Sequence, residues 1–375
     1  MKTFVRFCVG FAGFAVGTVF AAPAGGPYFS MRCDDNHSPR EWRQVAEIFE
    51  AEGFRVSFAI VSGTLSDEQG ACLKELAARG HELMDHTAQH AFYNLRCPDA
   101  ATCAALTNAP FASEVVGRGT TLLCRPEIDW NHKSAFRFMG SIRDGEVIVA
   151  DKAALKRLHF TAKFFVPSLG RWFGVKKVDG DRREILDFWR RPLPKDFVVP
   201  ETEMLTLSQD AIQPSVELLR AQAMRSRLNF ERFGLPKPTF WIQPGGWESF
   251  LCWRRLRDVF GKEFGYHGAD AIVGRGHWKG GGNDPDADRG RWSFPSDFAY
   301  FDEGKDLDAV KRRVAEALAN GRSFSYISHM NGRRCGGWDR WLEQTRAFVG
   351  WLKTSGVRVT THTKLVDAVF GKASD

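Results

Sequence analysis

The chain has 375 residues, 43% of them hydrophobic and 26% charged, with 52 basic and 45 acidic side chains giving a formal charge of +7. That length can bury a large core, and the charged fraction with a mean hydropathy of -0.30 excludes both a multi-span membrane protein and a disordered chain. The basic excess is mild and scattered, and no nucleic-acid motif accompanies it, so nucleic acid is not an expected partner.

Lys2 and Arg6 open a short basic start, an apolar run from Phe7 to Phe20 follows, and small residues come next at Ala21 and Ala22. This is the layout signal peptidase reads, so residues 1–21 are expected to be a signal peptide and the protein to be secreted or periplasmic. The run is short for a membrane span and nothing later is longer, so stable membrane insertion is not expected. Of the eight cysteines, Cys8 lies in this run, leaving Cys33, Cys72, Cys97, Cys103, Cys124, Cys252 and Cys335. An odd number leaves at least one thiol unbridged. Cys97, Cys103 and Cys124 are close enough for one local bridge, and no C-x-x-C spacing favours a thiolate zinc site.

After the leader the pattern alternates strand and helix. Tyr28–Arg32 reads as a strand ending in Asp34-Asp35. Ser38-Pro39 opens a helix to about Ala51 with Trp42, Val45, Ile48 and Phe49 at helical spacing. Val56–Val61 is a buried-type strand, Asp67–Arg79 a second helix, and Glu82–Asp85 a short third strand. Such repeats imply a parallel sheet covered by helices.

The alternation then breaks. From about Tyr93 to Pro200 only short β-like runs appear, at Gly145–Ala150 and Phe160–Pro167, before an exit marked by Pro192, Pro194 and Pro200. Residues 93–204 are therefore expected to form an inserted, mixed or β-rich subdomain between two parts of one barrel-like domain, 25–92 and 205–375. Alternation resumes with a helix over Asp210–Phe233, a strand at Thr239–Gln243, a helix over Trp247–Phe260 and a Gly/Asp-rich loop over Gly274–Arg291. A helix over Asp306–Asn320, a strand at Ser323–Ser328, a helix over Trp338–Thr354 and a strand at Val357–Thr361 complete the reading. The expected class is α/β, a distorted (β/α) barrel of about seven parallel strands with the insertion on one loop.

Sites in parallel sheets collect at the carboxyl ends of strands. Three strand ends here carry ionisable groups: Asp34-Asp35, Asp85 running into His86-Thr87-Ala88-Gln89-His90, and His329. Two histidines separated by three residues can reach one ion, and a carboxylate from another strand completes a catalytic set with an open position. Each piece alone has an ordinary structural reading as a turn, a hydrogen-bonding histidine or a chance pair. Their coincidence at three strand ends points to metal-dependent chemistry.

The run from Arg79 to His90, with His86-Thr87-Ala88-Gln89-His90 at its end, resembles the second motif of the polysaccharide deacetylases, carbohydrate esterase family 4. Asp34-Asp35 resembles their first motif and Ile327-Ser328-His329 their last. The resemblance covers about 28–92 and 205–370 and implies a distorted (β/α) barrel acting on acetylated glycans. It implies that Asp35, His86 and His90 hold a divalent metal, usually zinc. Asp34 would act as the general base that takes a proton from water, and His329 as the general acid toward the leaving amine. The third motif falls at Gln243-Pro244-Gly245-Gly246, which makes the Gly246 N–H an oxyanion donor. Gln243, Trp247 and Trp278 are candidate substrate-binding residues, and Trp338 is another aromatic on the site face.

The sequence departs from the family pattern in three places. Cys33 stands where Phe is usual, Asn36 where Gly is usual, and Gln243 where an Arg orients the base. An amide brings no full charge to that carboxylate. The fourth motif has no clear place; Trp292 and Asp297 are neighbours in order only. His81 is expected to pack or cap, and His37 to sit at the helix entry. The leading function is a secreted deacetylase of an N- or O-acetylated polysaccharide or oligosaccharide. The alternatives are a metal-dependent hydrolase of another amide or ester, and a non-catalytic saccharide-binding envelope protein. Oligomeric state is open.

Overall fold

A computed structural model of the chain describes residues 27–90, 92–94, 121–123, 127–128, 135–160, 162–187, 191–206, 212–213, 216–244, 253–270, 272–273, 277–279, 287–292, 294–296 and 307–371. The proposed leader, Cys97, Cys103, Cys124 and Cys252 lie outside them. Among the described residues no helix is long and apolar enough to cross a membrane.

The first part is built from β1 (Tyr28–Asp34), α1 (Pro39–Ala51), β2 (Ser57–Ile60), α2 (Asp67–Ala78) and β3 (Glu82–Asp85). Both helices begin on a capping box. Ser38 and Glu41 exchange side-chain and backbone hydrogen bonds, as do Ser66 and Gln69, satisfying amide groups that a helix start leaves open.

Six strands of the middle segment close into an antiparallel barrel: β4 (Phe136–Arg143), β5 (Glu146–Ile148), β6 (Lys163–Val166), β7 (Arg171–Asp179), β8 (Arg182–Asp187) and β9 (Val199–Thr206). Their order around the barrel is β7-β8-β5-β4-β9-β6. One local reading is corrected here. Pro200 lies inside β9 rather than in an exit loop, at a place where pairing with β4 slips between Val199 and Thr202. A proline, which lacks an amide donor, is tolerated at such a slip. Barrel closure itself carries little mark in the sequence beyond short alternating runs.

The second part includes α3 (Val216–Arg232), β10 (Phe240–Ile242), β11 (Gly268–Asp270), β12 (His277–Lys279), α4 (Ala287–Trp292), β13 (Pro295–Ser296), α5 (Leu307–Ala319), β14 (Arg322–Ser328), α6 (Trp338–Thr354), β15 (Arg358–Val359) and α7 (His362–Phe370). The main sheet runs β11-β10-β3-β2-β1-β14-β12, with β15 also paired to β1. It is a half-barrel in which β12 pairs antiparallel to β14; the expected ring of parallel strands is an open sheet among the described residues. Within the expected Gly/Asp-rich loop, His277–Lys279 is a strand and Ala287–Trp292 a helix. The last expected strand shrinks to Arg358–Val359, and His362–Phe370 is a helix that the alternation did not disclose.

Alternation along β1 divides the molecule. Phe29, Met31 and Cys33 join Trp42, Phe49, Phe58, Trp341 and Phe348 in the core beneath the helices. The opposite set, Ser30, Arg32 and Asp34, is buried on the inner side. That inner side is apolar at one end, where α7 supplies Leu365, Val366 and Val369 against Ala59, Met84, Phe240 and Phe294. At the other end it is polar. A further core joins the two bodies: Phe165, Trp172 and Leu205 of the antiparallel barrel pack with Leu219, Ala223, Trp241 and Phe260.

Candidate metal centre

The centre forms where β1 and β3 end side by side. Ligand atoms of Asp35, His86 and His90 lie within 4.8 Å of one another. His90 Nε2 is 3.3 Å from Asp35 Oδ1, and the two imidazole rings meet edge to face with centroids 4.8 Å apart. Asp35, Thr87 and His90 all adopt left-handed backbone, at φ of 75°, 62° and 54°. Such conformations cost energy in non-glycine residues, and they cluster where function demands them. Met330, next to His329, has φ 51°.

Neighbouring loops hold these turns. Asn36, the residue in place of the usual glycine, accepts from Val61 N–H at 3.0 Å and donates to Val61 O at 2.8 Å and Thr64 Oγ1 at 2.9 Å, tying the end of β1 to the end of β2. Gly63 N–H donates to Ala88 O at 2.7 Å. A Cβ at 63 would lie 2.5 Å from that oxygen, so only glycine lets the two loops approach this closely. Asp85 faces away from the ligands: its carboxylate accepts from Thr87 N–H and from the Tyr266 hydroxyl, both at 2.8 Å.

The donor set suits a divalent ion. His86 is buried, and burial lowers its pKa to about 4, which keeps the ring neutral. Its Nδ1 lies 3.1 Å from the Ile242 carbonyl, which can only accept, so Nδ1 carries the proton and Nε2 keeps its lone pair. A ligating histidine oriented by a backbone carbonyl is a recurrent second layer of metal sites.

Asp34 lies beside the centre on the inner side of β1. Burial pushes its carboxyl above the usual range, while Arg32 acts most strongly in the other direction and His329 also acts on it. Arg32 Nη1 is 3.0 Å from each Asp34 oxygen, and Arg32 Nη2 is 3.2 Å from Asp270 Oδ2. Sequence reasoning missed both Arg32 and Asp270. The first was legible as a residue two positions before Asp34, hence on the same face; the second comes from β11, and no local pattern joins it to β1. Asp270 continues the polar path by accepting from Ser296 Oγ; Ser296 meets Ser325 Oγ at 2.8 Å, and Ser325 meets His362 Nδ1 at 3.2 Å.

His329 and Asp35 line a cleft of about 760 Å³ together with Asn36, His37, Glu41, Asn331, Arg333 and Trp338. His37, immediately before the Ser38 cap at the entry to α1, also lines the cleft. His81 is a capping residue: its Nδ1 accepts from Val56 N–H at 3.2 Å and its Nε2 meets Glu50 at 2.9 Å. Gln243 is buried at the end of β10, with its N–H donating to Asp270 O at 2.9 Å. Trp292 belongs to the core shared with the barrel. Cys33 fills core space under α1 and α6. Gly246, Trp247 and Asp297 lie outside the described residues, and Trp278 is described in its backbone only.

Fold and site together define an α/β protein whose parallel strand ends carry a two-histidine, one-carboxylate cluster beside a buried Asp–Arg–Asp bridge. The chain is similar to solved carbohydrate esterase family 4 structures. One is a family 4 acetyl xylan esterase from Clostridium thermocellum in complex with a cobalt ion (8% identity, 90% of this chain and 89% of that one, TM-score 0.38). Another is a peptidoglycan N-acetylglucosamine deacetylase (12% identity, 93% and 92%, TM-score 0.40). A third is a family 4 pseudoenzyme from Bacillus anthracis (11% identity, 92% and 66%, TM-score 0.40). No family model matches the chain. No curated protein matches it either.

Proposed function

We propose that the protein is an exported, metal-dependent hydrolase that removes acetyl groups from an acetylated glycan. The observation that carries this reading is the convergence of Asp35, His86 and His90 next to a carboxylate, Asp34, that is not part of the cluster. Those three residues would hold the ion, with zinc the expected metal. When bound, a divalent ion supplies Lewis acidity toward the acetyl carbonyl.

The chain's own groups divide the remaining work. Asp34, held by Arg32, accepts a proton from the attacking water. His329 donates one to the departing amine or hydroxyl, and the Gly246 N–H is assigned to the developing oxyanion. Trp247 and Trp278 are assigned to the sugar. A leader over 1–21 would direct export.

The purified protein is expected to contain one divalent ion per chain by elemental analysis. His86→Ala with His90→Ala should abolish it; full occupancy in the double variant would remove the metal centre from the proposal. Asp34→Asn is expected to retain the ion and lose acetate release about 10²–10⁴-fold. Sugar binding without acetate release in the wild type would favour the non-catalytic alternative.

A further inference from the structure

We infer that the cleft beside the metal centre selects glycans bearing an anionic group, and that Arg333 is the residue that recognises it. The inference deepens the deacetylase reading and rests on it for the acetylated sugar.

Among the described residues, the carboxylates that line the cleft are already engaged within the protein. Asp35 belongs to the ligand cluster. Glu41 Oε2 accepts from Ser38 N–H at 2.9 Å and from Ser38 Oγ at 2.8 Å, closing the start of α1. His37 Nε2 donates to the Asp34 carbonyl at 3.1 Å, and its Nδ1 lies 3.9 Å from Glu41. Arg333 is exposed on the cleft wall. No carboxylate among the described residues pairs with its guanidinium.

The loop that carries Arg333 is built to hold it. Asn331 Oδ1 accepts from Arg333 N–H at 3.1 Å. Gly332 O accepts from Cys335 N–H at 3.1 Å and Gly337 N–H at 2.8 Å. A Cβ at 332 would come within 2.6 Å of the Gly337 carbonyl carbon, so the loop is closed on itself. Arg333 thus lines, from a fixed backbone, the same cleft that His329 and Asp35 border.

Beyond Arg333 stands an aromatic plate. Trp338 stacks on the fully buried Trp341 with centroids 5.0 Å apart and planes 6° from parallel. Its Nε1–H donates to Gln44 Oε1 at 2.9 Å, which sets the ring's rotation. A sugar resting on that wall would bring a neighbouring carboxylate or phosphate toward a planar fork of donors suited to either oxyanion.

The test measures acetate release from acetylated oligosaccharides of equal length that are neutral, carboxylate-bearing or phosphate-bearing, with wild type and Arg333→Gln. Wild type is expected to favour an anionic substrate about tenfold or more in kcat/KM, through KM, with the preference weakening as salt rises. The two anionic arms identify which group is bound. In Arg333→Gln the anionic-to-neutral ratio should collapse to about 1, and Arg333→Lys should restore part of it. Equal kcat/KM on neutral and anionic substrates, or a preference that survives Arg333→Gln, overturns the inference. Calorimetry with the same glycans repeats the comparison without turnover. Arg333-dependent anionic binding with no acetate release upholds the cleft assignment and sinks the deacetylase reading, whereas equal binding overturns the cleft assignment.

Discussion

Arg32 answers the question that Gln243 raised. With an amide at position 243, the resemblance leaves Asp34, the proposed base, without its usual cation. The fold supplies a cation to Asp34, the proposed base, from its own strand, two residues earlier on the same face, and Asp270 anchors its other end. A buried ion pair of this kind holds geometry more than it adds stability, and removing one partner leaves an uncompensated charge worth about 3–5 kcal/mol. Arg32→Gln should therefore lower the urea midpoint and depress turnover. Gln243 sits against the same Asp270 backbone, so the compensating change is Gln243→Arg in the Arg32→Gln protein. That double variant is expected to regain turnover over the single one, read as kcat with metal content unchanged; no recovery would mean that the cation must come from β1. The strand-end motifs were legible because a metal set needs particular residue types at short spacing. The Arg32–Asp270 bridge was not, because its members are separated by most of the chain.

At the scale of elements, capped helix starts and the strands of the parallel sheet were readable, and the closing helix was not. Ser38 and Ser66 announce α1 and α2 through local hydrogen bonds that any observer of the sequence can count. By contrast, His362–Phe370 follows a two-residue strand and becomes α7 because its apolar face fills the inner side of the half-barrel, a tertiary reason. Three elements are joined by one network: Glu50 of α1 accepts from Arg79 after α2 and meets His81 ahead of β3. Hydrogen bonds from Arg79, then from His81, hold the Glu50 carboxyl down at about 2, against an ordinary value of 4.5. A lowered carboxyl stabilises the fold fully above its unfolded value and loses that contribution as pH falls toward the folded one. The stability gap between wild type and Glu50→Gln should therefore be largest above about pH 5 and shrink toward pH 2. Urea midpoints across that range would check it, and a gap that does not change with pH would refute the assignment.

At the scale of the molecule, the antiparallel barrel is packed against the sheet through an aromatic core rather than tethered beside it. Trp172 is 5% exposed and meets Phe165 at 5.0 Å between centroids, on the side that faces Trp241 and α3. Truncating such a residue typically costs about 3–5 kcal/mol. Trp172→Ala is expected to lower Tm in one shared transition, followed by calorimetry; a barrel transition that moves alone would show that the two bodies unfold separately. The sequence disclosed that the middle segment is β-rich, since its short runs alternate between turn residues. It did not disclose closure, which depends on which strand meets which across more than thirty residues.

One topological fact bears on how the chain reaches this state. The first strand sits in the middle of the main sheet, and its neighbour β14 begins so late that Tyr28 and Ser323 bond across 295 positions. During synthesis the opening strand must wait, with one flank bare, until nearly everything behind it has emerged, because non-local pairings reward the chain only after the intervening loop is closed. The antiparallel barrel needs only its own segment and can mature first. Asp35, at the tip of β1, therefore gains its full surroundings only late in assembly, after the loops between the two strands have closed.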